Sequence, residues 1–239
     1  MARDPAATRD RLVSAAEARF AADGIETASL RGITRDAGCR NAVALQYHFD
    51  DRAGMVRAVI QKHAPDIHGA RHEMLDQWES GERSLSDAVA ALVLPLAAKL
   101  DDPDGGRAFL AIHADLLDRP LPMIGPGPGS PNDSVHRWRG LVAPLIQPEA
   151  VRVHRRFAAI VHSAVELGRR ARDERTPAQE LFVSNLVDVT TAMLAAPLSP
   201  DTLGLLARRR QVGTGPGSRS KKSRANVVAE NEDVTPPRN

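Results

Sequence analysis

Residues 29–49, SLRGITRDAGCRNAVALQYHF, decide the fold. Leu30, Ile33 and Ala37 recur at helical spacing behind Ser29, a residue type that caps helix N-termini. Gly38 supplies the stop, because it enters the left-handed region without a Cβ clash. A second short helix is predicted past Asn41, ending in the aromatic–basic–aromatic triplet Tyr47-His48-Phe49. Two short helices joined by a tight turn have the layout of a helix-turn-helix, which sets the end of its second helix in the major groove of DNA.

Working outward, a preceding helix is expected over 8–22, capped by Thr8, with Leu12, Ala16 and Phe20 on one apolar stripe and Gly24 after its end. Asp50 and Asp51 stand where acids favour a new helix. That helix carries Met55, Val56, Val59 and Ile60 and is expected to fade near Pro65. Helical segments are then predicted over 68–79, 84–100 (kinked at Pro95), 106–118, 134–146, 149–172, 177–195 and 200–209. Residues 120–133, PLPMIGPGPGSPND, read as an irregular loop.

Composition fits this pattern. Hydrophobic residues make up 42% of the 239 but aromatics only 3%, so the core rests on Ala, Leu, Val and Ile and an all-α protein is expected. The formal charge is +2, unevenly placed: residues 208–239 sum to +5 and the rest to −3, so any DNA contact must come from a local patch. The single Cys39 excludes an intramolecular disulfide, and neither a signal peptide nor a membrane-spanning run is visible, which predicts a cytoplasmic protein. No GxSxG or HExxH motif occurs, and no enzyme or cofactor is expected. His68, His72 and Glu73 permit an alternative helical metal-binding module or enzyme, but spacing supplies no obvious third ligand. A further alternative is an architectural protein that binds DNA without sequence choice.

A recognition helix needs small or hydrogen-bonding side chains facing base edges and flanking groups that hold phosphates. Arg40, Asn41, Ala42, Val43 and Gln46 meet the first need; Arg pairs with guanine, Asn and Gln with adenine, and Ala or Val packs on a thymine methyl. Tyr47, His48 and Arg52 meet the second. Arg31 reaches either, and the amides near Ser29 can hold a phosphate.

The first 60 or so residues resemble the N-terminal domain of TetR-family transcriptional regulators. The resemblance lies in RLVSAAEARFAADGIETAS, then LRGITRDAG, then YHF followed by an acidic–basic pair and an apolar helix. It is closest to a variant branch with an RN turn and a QYHF ending. Thr34 stands where the family usually has alanine, Ala28 stands where a Thr or Ser often caps helix 2, and the turn is one residue longer than the commonest form. The resemblance implies a helix-turn-helix head over 1–63, a helical ligand-binding and dimerising body over 64–209, and leaves a basic tail over 210–239 that reads as disordered. It implies a homodimer on a palindromic operator, repression, and relief by an unknown small molecule. It also places Arg31 at the groove, 41–46 on the recognition helix, Tyr47 and His48 at phosphate, and Arg52 at a backbone phosphate.

In the body, the helices 151–172 and 177–195 are the expected dimer elements, with Phe157, Val161, Ala164, Val165 and Gly168 on an apolar face and Leu181, Asn185 and Asp188 on the other helix. Trp78, Phe109, His113, Met123 and Trp138 are the bulky or adaptable side chains available to line a cavity.

Overall fold

A computed structural model describes residues 4–39, 43–117, 133–173 and 178–213. Helix α1 spans Pro5–Asp23 and starts earlier than Thr8. Asp4 is the cap: its carboxylate accepts from the Ala6 amide at 2.9 Å, and Pro5 has no N–H to leave unsatisfied. Thr8 instead donates its hydroxyl to the Asp4 carbonyl. Leu12, Ala16 and Phe20 are fully buried, and Gly24 closes the helix with φ +85°.

Helix α2 (Leu30–Asp36) and α3 (Val43–Phe49) follow, then α4 (Arg52–Ser80). Pro65 does not end α4, contrary to the expected break into two helices. A proline removes one N–H from the ladder, but Pro65 is exposed, so water can satisfy the carbonyl it leaves. Meanwhile Met55, Val59, His63, Ile67, Arg71 and Leu75 stay buried at a strict four-residue spacing, and that continuous buried face holds the helix together.

Beyond it come α5 (Leu85–Ala97), α6 (Gly106–Leu117), α7 (Ser134–Val142), α8 (Pro148–Arg152), α9 (Arg155–Arg172), α10 (Gln179–Ala195) and α11 (Pro200–Gly213). Pro95 lies in the last turn of α5, which tightens into a 3-10 turn over Ala98–Leu100. The helix expected over 149–172 is two: His154 takes φ +60° and separates α8 from α9, a break that no glycine or proline marks. Every regular element among the described residues is helical, so the fold is all-α. The loop 120–132, with Met123, and the tail beyond 213 lie outside the described residues.

The chain divides into two compact units, Met1–Ala196 and Pro197–Asn239; the second holds α11. In the first, one cluster joins Leu12, Phe20, Ile33, Leu45, Phe49, Met55 and Val59 to Ile112 and Leu116 of α6. The N-terminal helices therefore share their core with α6. Helix α9 packs closely along α6 because Gly168 has no side chain; a Cβ there would stand 2.4 Å from the Ala114 Cβ. Ala164, on the same face, is buried too. Both turn into the interior of the chain and leave the face expected to pair. No single described helix is long and apolar enough to cross a membrane.

Candidate nucleic-acid interface

Ser29 caps α2: its Oγ accepts from the Gly32 amide at 3.2 Å. Thr27 takes no part, since its hydroxyl is given to the Asp23 and Gly24 carbonyls. The unusual Thr34 is buried, and its hydroxyl donates to the Leu30 carbonyl at 2.9 Å, so the extra oxygen is satisfied inside the helix. After α2 the chain turns at Gly38 (φ +67°), and the Cys39 amide donates back to Thr34 at 3.0 Å. Cys39 is half-buried, its thiol directed at the Ala37 carbonyl 3.8 Å away.

Two inward side chains, Leu45 and Phe49, anchor α3 in the shared core. That fixes what faces out. Tyr47 is 79% exposed, with its ring edge-on to His48 at 5.1 Å between centroids. A tyrosine this exposed presents its hydroxyl to solvent, or to phosphate. Arg31 on α2 is exposed as well. Arg40, Asn41 and Ala42, and the side chains of Val43 and Gln46, lie outside the described residues.

Arg52 is committed elsewhere than its sequence position suggests. Its Nη1 donates to the Ile25 and Ala28 carbonyls at 2.5 and 2.9 Å, tying the start of α4 to the α1–α2 turn. Just before it, Asp50 takes φ +60° and Asp51 caps α4, accepting from the Gly54 amide at 2.6 Å. Gly54 is required there, because a Cβ would stand 1.9 Å from the Phe49 carbonyl oxygen.

Two supporting arginines carry no signal in the sequence. Arg9 sits over the Phe49 ring at 5.5 Å, and Arg19 bridges α1 to α2 through Asp36 at 2.6 Å. The Arg19 guanidinium holds the Asp36 carboxyl below its ordinary range through that hydrogen bond. Their partners lie across the fold, so no local pattern reveals them.

In the body, the residues expected to line a cavity behave unequally. Trp78 and Trp138 are buried, and their indole N–H groups donate to the Ser84 and Ala88 carbonyls at 2.8 and 2.7 Å. Phe109 is buried between His63 and His113, with centroids 4.6 and 5.5 Å away. His113 differs: its Nδ1 is buried with no hydrogen-bond partner among the described residues. His68 and His72 diverge to separate partners, Ser134 and Arg137, and no grouping of three candidate metal ligands occurs among the described residues.

Among the expected dimer residues, Phe157 and Leu181 are 53% and 70% exposed, Asn185 and Asp188 are exposed, and Val161 and Val165 are half-buried. Leu181, Ser184, Asn185, Asp188, Val189 and Ala192 make one exposed face of α10 at helical spacing.

No family model matches the sequence, and no curated protein matches it. Two crystal structures assigned to the TetR family of transcriptional regulators are similar in fold. One, from Rhodococcus sp., is 17% identical, with a TM-score of 0.45 over 80% of this chain and 100% of its own. The other, from Mesorhizobium loti, is 15% identical, with a TM-score of 0.47 over 81% of this chain and 98% of its own.

Proposed function

We propose that this chain is a TetR-like transcriptional regulator that binds a palindromic operator as a homodimer. The observation that carries the reading is the α2–turn–α3 unit: capped at Ser29, anchored inward by Leu45 and Phe49, and turning Tyr47 out to solvent. Tyr47 stands uncovered next to His48, and Arg31 on α2 is exposed as well, so each is open to a partner. In this reading residues 1–63 form the DNA-binding head, 64–209 the effector-binding and dimerising body, and 210–239 a basic tail. Ser29, Tyr47 and His48 hold phosphates, while Arg31, Arg40, Asn41, Ala42, Val43 and Gln46 face bases. Arg52 supports this surface by bracing α4 and adds charge near the backbone.

One short helix reads too few bases for useful selectivity, so two heads must act together about 34 Å apart on one face of the duplex. The exposed apolar side chains of α9 and α10 suit a two-fold four-helix contact. Repression follows if the DNA-bound form blocks a promoter, and an effector relieves it if it favours another head spacing, since two ligands drawing on one equilibrium must weaken each other.

Selection of bound sequences from a random duplex pool tests this. The expected result is one enriched palindrome. Uniform recovery of the pool would leave a sequence-independent DNA binder, and no retained DNA would end the reading.

A further inference from the structure

One arginine of the N-terminal helices is half withdrawn from water and rests on a ring. Among the described residues as far as Lys62, the other arginines and the lysine fall into two groups. In the first, each side chain meets an oxygen. Arg11 donates to Thr8 Oγ1 at 3.2 Å, Arg19 donates to Asp36 at 2.6 Å and Asp23 at 3.3 Å, and Arg35 faces Asp36 at 3.6 Å. Arg52 donates to the Ile25 and Ala28 carbonyls, and Lys62 to Glu17 and Asp104. In the second, Arg31 and Arg57 are exposed, so water serves their charge. Arg9 fits neither group. It is half-buried, and among the described residues its guanidinium has no carboxylate within ion-pair distance and no hydrogen-bond acceptor. Its Cζ stands instead over the Phe49 ring, 5.5 Å from the centroid.

A ring face attracts a guanidinium but accepts none of its N–H groups in the plane. The donors of Arg9 therefore stay unused on a cation that partial burial makes harder to solvate. The ring beneath it is fixed, because Phe49 is anchored with Leu45 in the core. A side chain already settled on a fixed surface has less freedom to lose when a partner arrives. Phe49 is also the last residue of α3. Its ring lies 6.0 Å from that of His48, and His48 lies 5.1 Å from the exposed Tyr47. Helix α1 thus brings a cation to the end of α3 that carries the tyrosine and the histidine. Backbone phosphates flank a helix seated in the major groove, and contacts to them set its register.

We propose that Arg9 binds a phosphate of the DNA backbone, extending the interface from α2 and α3 onto α1. A phosphodiester is a monoanion with two free oxygens, which the planar guanidinium can meet bidentately with the donors the ring leaves unused. This assignment rests on reading the α2–turn–α3 unit as a DNA reader, and it adds a helix to that surface.

The test is fluorescence anisotropy of the full chain on a labelled mixed-sequence duplex of about 30 base pairs, titrated between about 50 and 200 mM salt. Each phosphate contact contributes about 0.9 to the slope of log K against log salt concentration. Arg9→Met keeps an apolar stem over Phe49 and removes the charge, and it flattens the slope by about 0.9 for each head on the duplex. Arg9→Lys keeps the charge and most of the slope. Arg11→Met removes the same charge two residues away and leaves the slope nearly unchanged. Circular dichroism checks that each variant is folded; if Arg9→Met is not, Arg9→Gln decides by the same slope. A natural slope in the folded Arg9 variant, or equal flattening by Arg9→Met and Arg11→Met, overturns the assignment. A lowered unfolding midpoint with an unchanged slope would confine Arg9 to covering Phe49, and it overturns the assignment too. A selected palindrome with a natural slope in Arg9→Met ends this assignment and leaves the regulator reading standing. A flattened slope without sequence selection does the reverse.

Discussion

His63 Nε2 and Glu17 Oε1 stand 2.6 Å apart, both side chains at most 3% exposed, and they fasten α1 to α4 at the point where α4 leaves the N-terminal helices. The other Glu17 oxygen accepts from Lys62 at 2.9 Å. Gly105 (φ +83°) makes room for this carboxylate, since a Cβ there would stand 2.0 Å from Oε2. The far side of His63 lies against Phe109, which stacks on His113. A continuous run of ring contacts therefore leads from the interior of the body to a buried carboxylate on α1.

Glu17→Ala should lower stability by about 3 kcal/mol, because it leaves Lys62 and His63 facing a buried gap. Glu17→Gln keeps an acceptor and should cost roughly half as much. Urea unfolding measures both. If the ring contacts transmit effector binding, Glu17→Gln also reduces the mutual weakening of DNA and effector, read as a smaller shift in operator affinity at saturating effector. An unchanged shift would confine Glu17 to a structural role.

Tyr47 and Arg52 should separate cleanly, although they are neighbours in sequence. Tyr47→Ala removes an exposed ring and should leave the unfolding midpoint within about 0.5 kcal/mol of the natural chain. It should weaken binding to operator and random DNA alike, as loss of a phosphate contact does. Arg52→Ala should cost about 1–3 kcal/mol, because the Ile25 and Ala28 carbonyls lose their donor. Arg52→Lys should recover part of that stability. Equal stability of the Tyr47 and Arg52 alanine variants would refute the bracing role of Arg52.

His113 makes an acid-sensitive contribution with a definite sign. Its ordinary value of 6.5 applies to the unfolded chain, and burial, with the Arg71 charge, brings the native value to about 4. Between those values the unfolded chain binds a proton that the native chain does not. Stability is therefore unaffected above about pH 6.5 and is lost as pH falls toward 4, by at most about 3 kcal/mol. Carboxylates titrate in the same range, so the informative quantity is the difference between the natural chain and His113→Gln. That difference should grow on acidification between those pH values. Parallel profiles would show that His113 carries no such penalty.

Much of the head was legible because its signals are local. Ser29 as cap, Gly38 as stop and the inward spacing of Leu30, Ile33 and Ala37 depend on residues within a few turns of one another. The all-α class followed from periodicity in the same way. What stayed hidden depends on partners far along the chain. Pro65 looks like a stop until the buried four-residue series on either side is seen to be continuous. His154 breaks a helix without a glycine or proline to announce it. Gly168 and Ala164 read as part of an outward apolar face, yet both lie inward, and Gly168 admits Ala114 of α6, more than 50 residues earlier. Arg71 lies between His68 and His72 in sequence, but its hydrogen bonds go to the Ala91 carbonyl and Ser134, which only the fold brings to it.

The pairing surface can be tested by charge placement. Phe157 and Leu181 keep most of their side chains in solvent within one subunit, so a glutamate at either position has nothing to disrupt in the isolated fold. If α9 and α10 form a two-fold contact, each substitution appears twice across it and sets like charges in an apolar seam. Phe157→Glu and Leu181→Glu should sediment as monomers at concentrations where the natural chain is a dimer, with unchanged circular dichroism. Operator affinity should fall with dimerisation, since each head alone reads half a site. Ala164→Glu serves as the contrast: buried within the fold, it should unfold the chain and not merely divide the dimer. A dimer that survives both exposed substitutions would move the two-fold contact to another face.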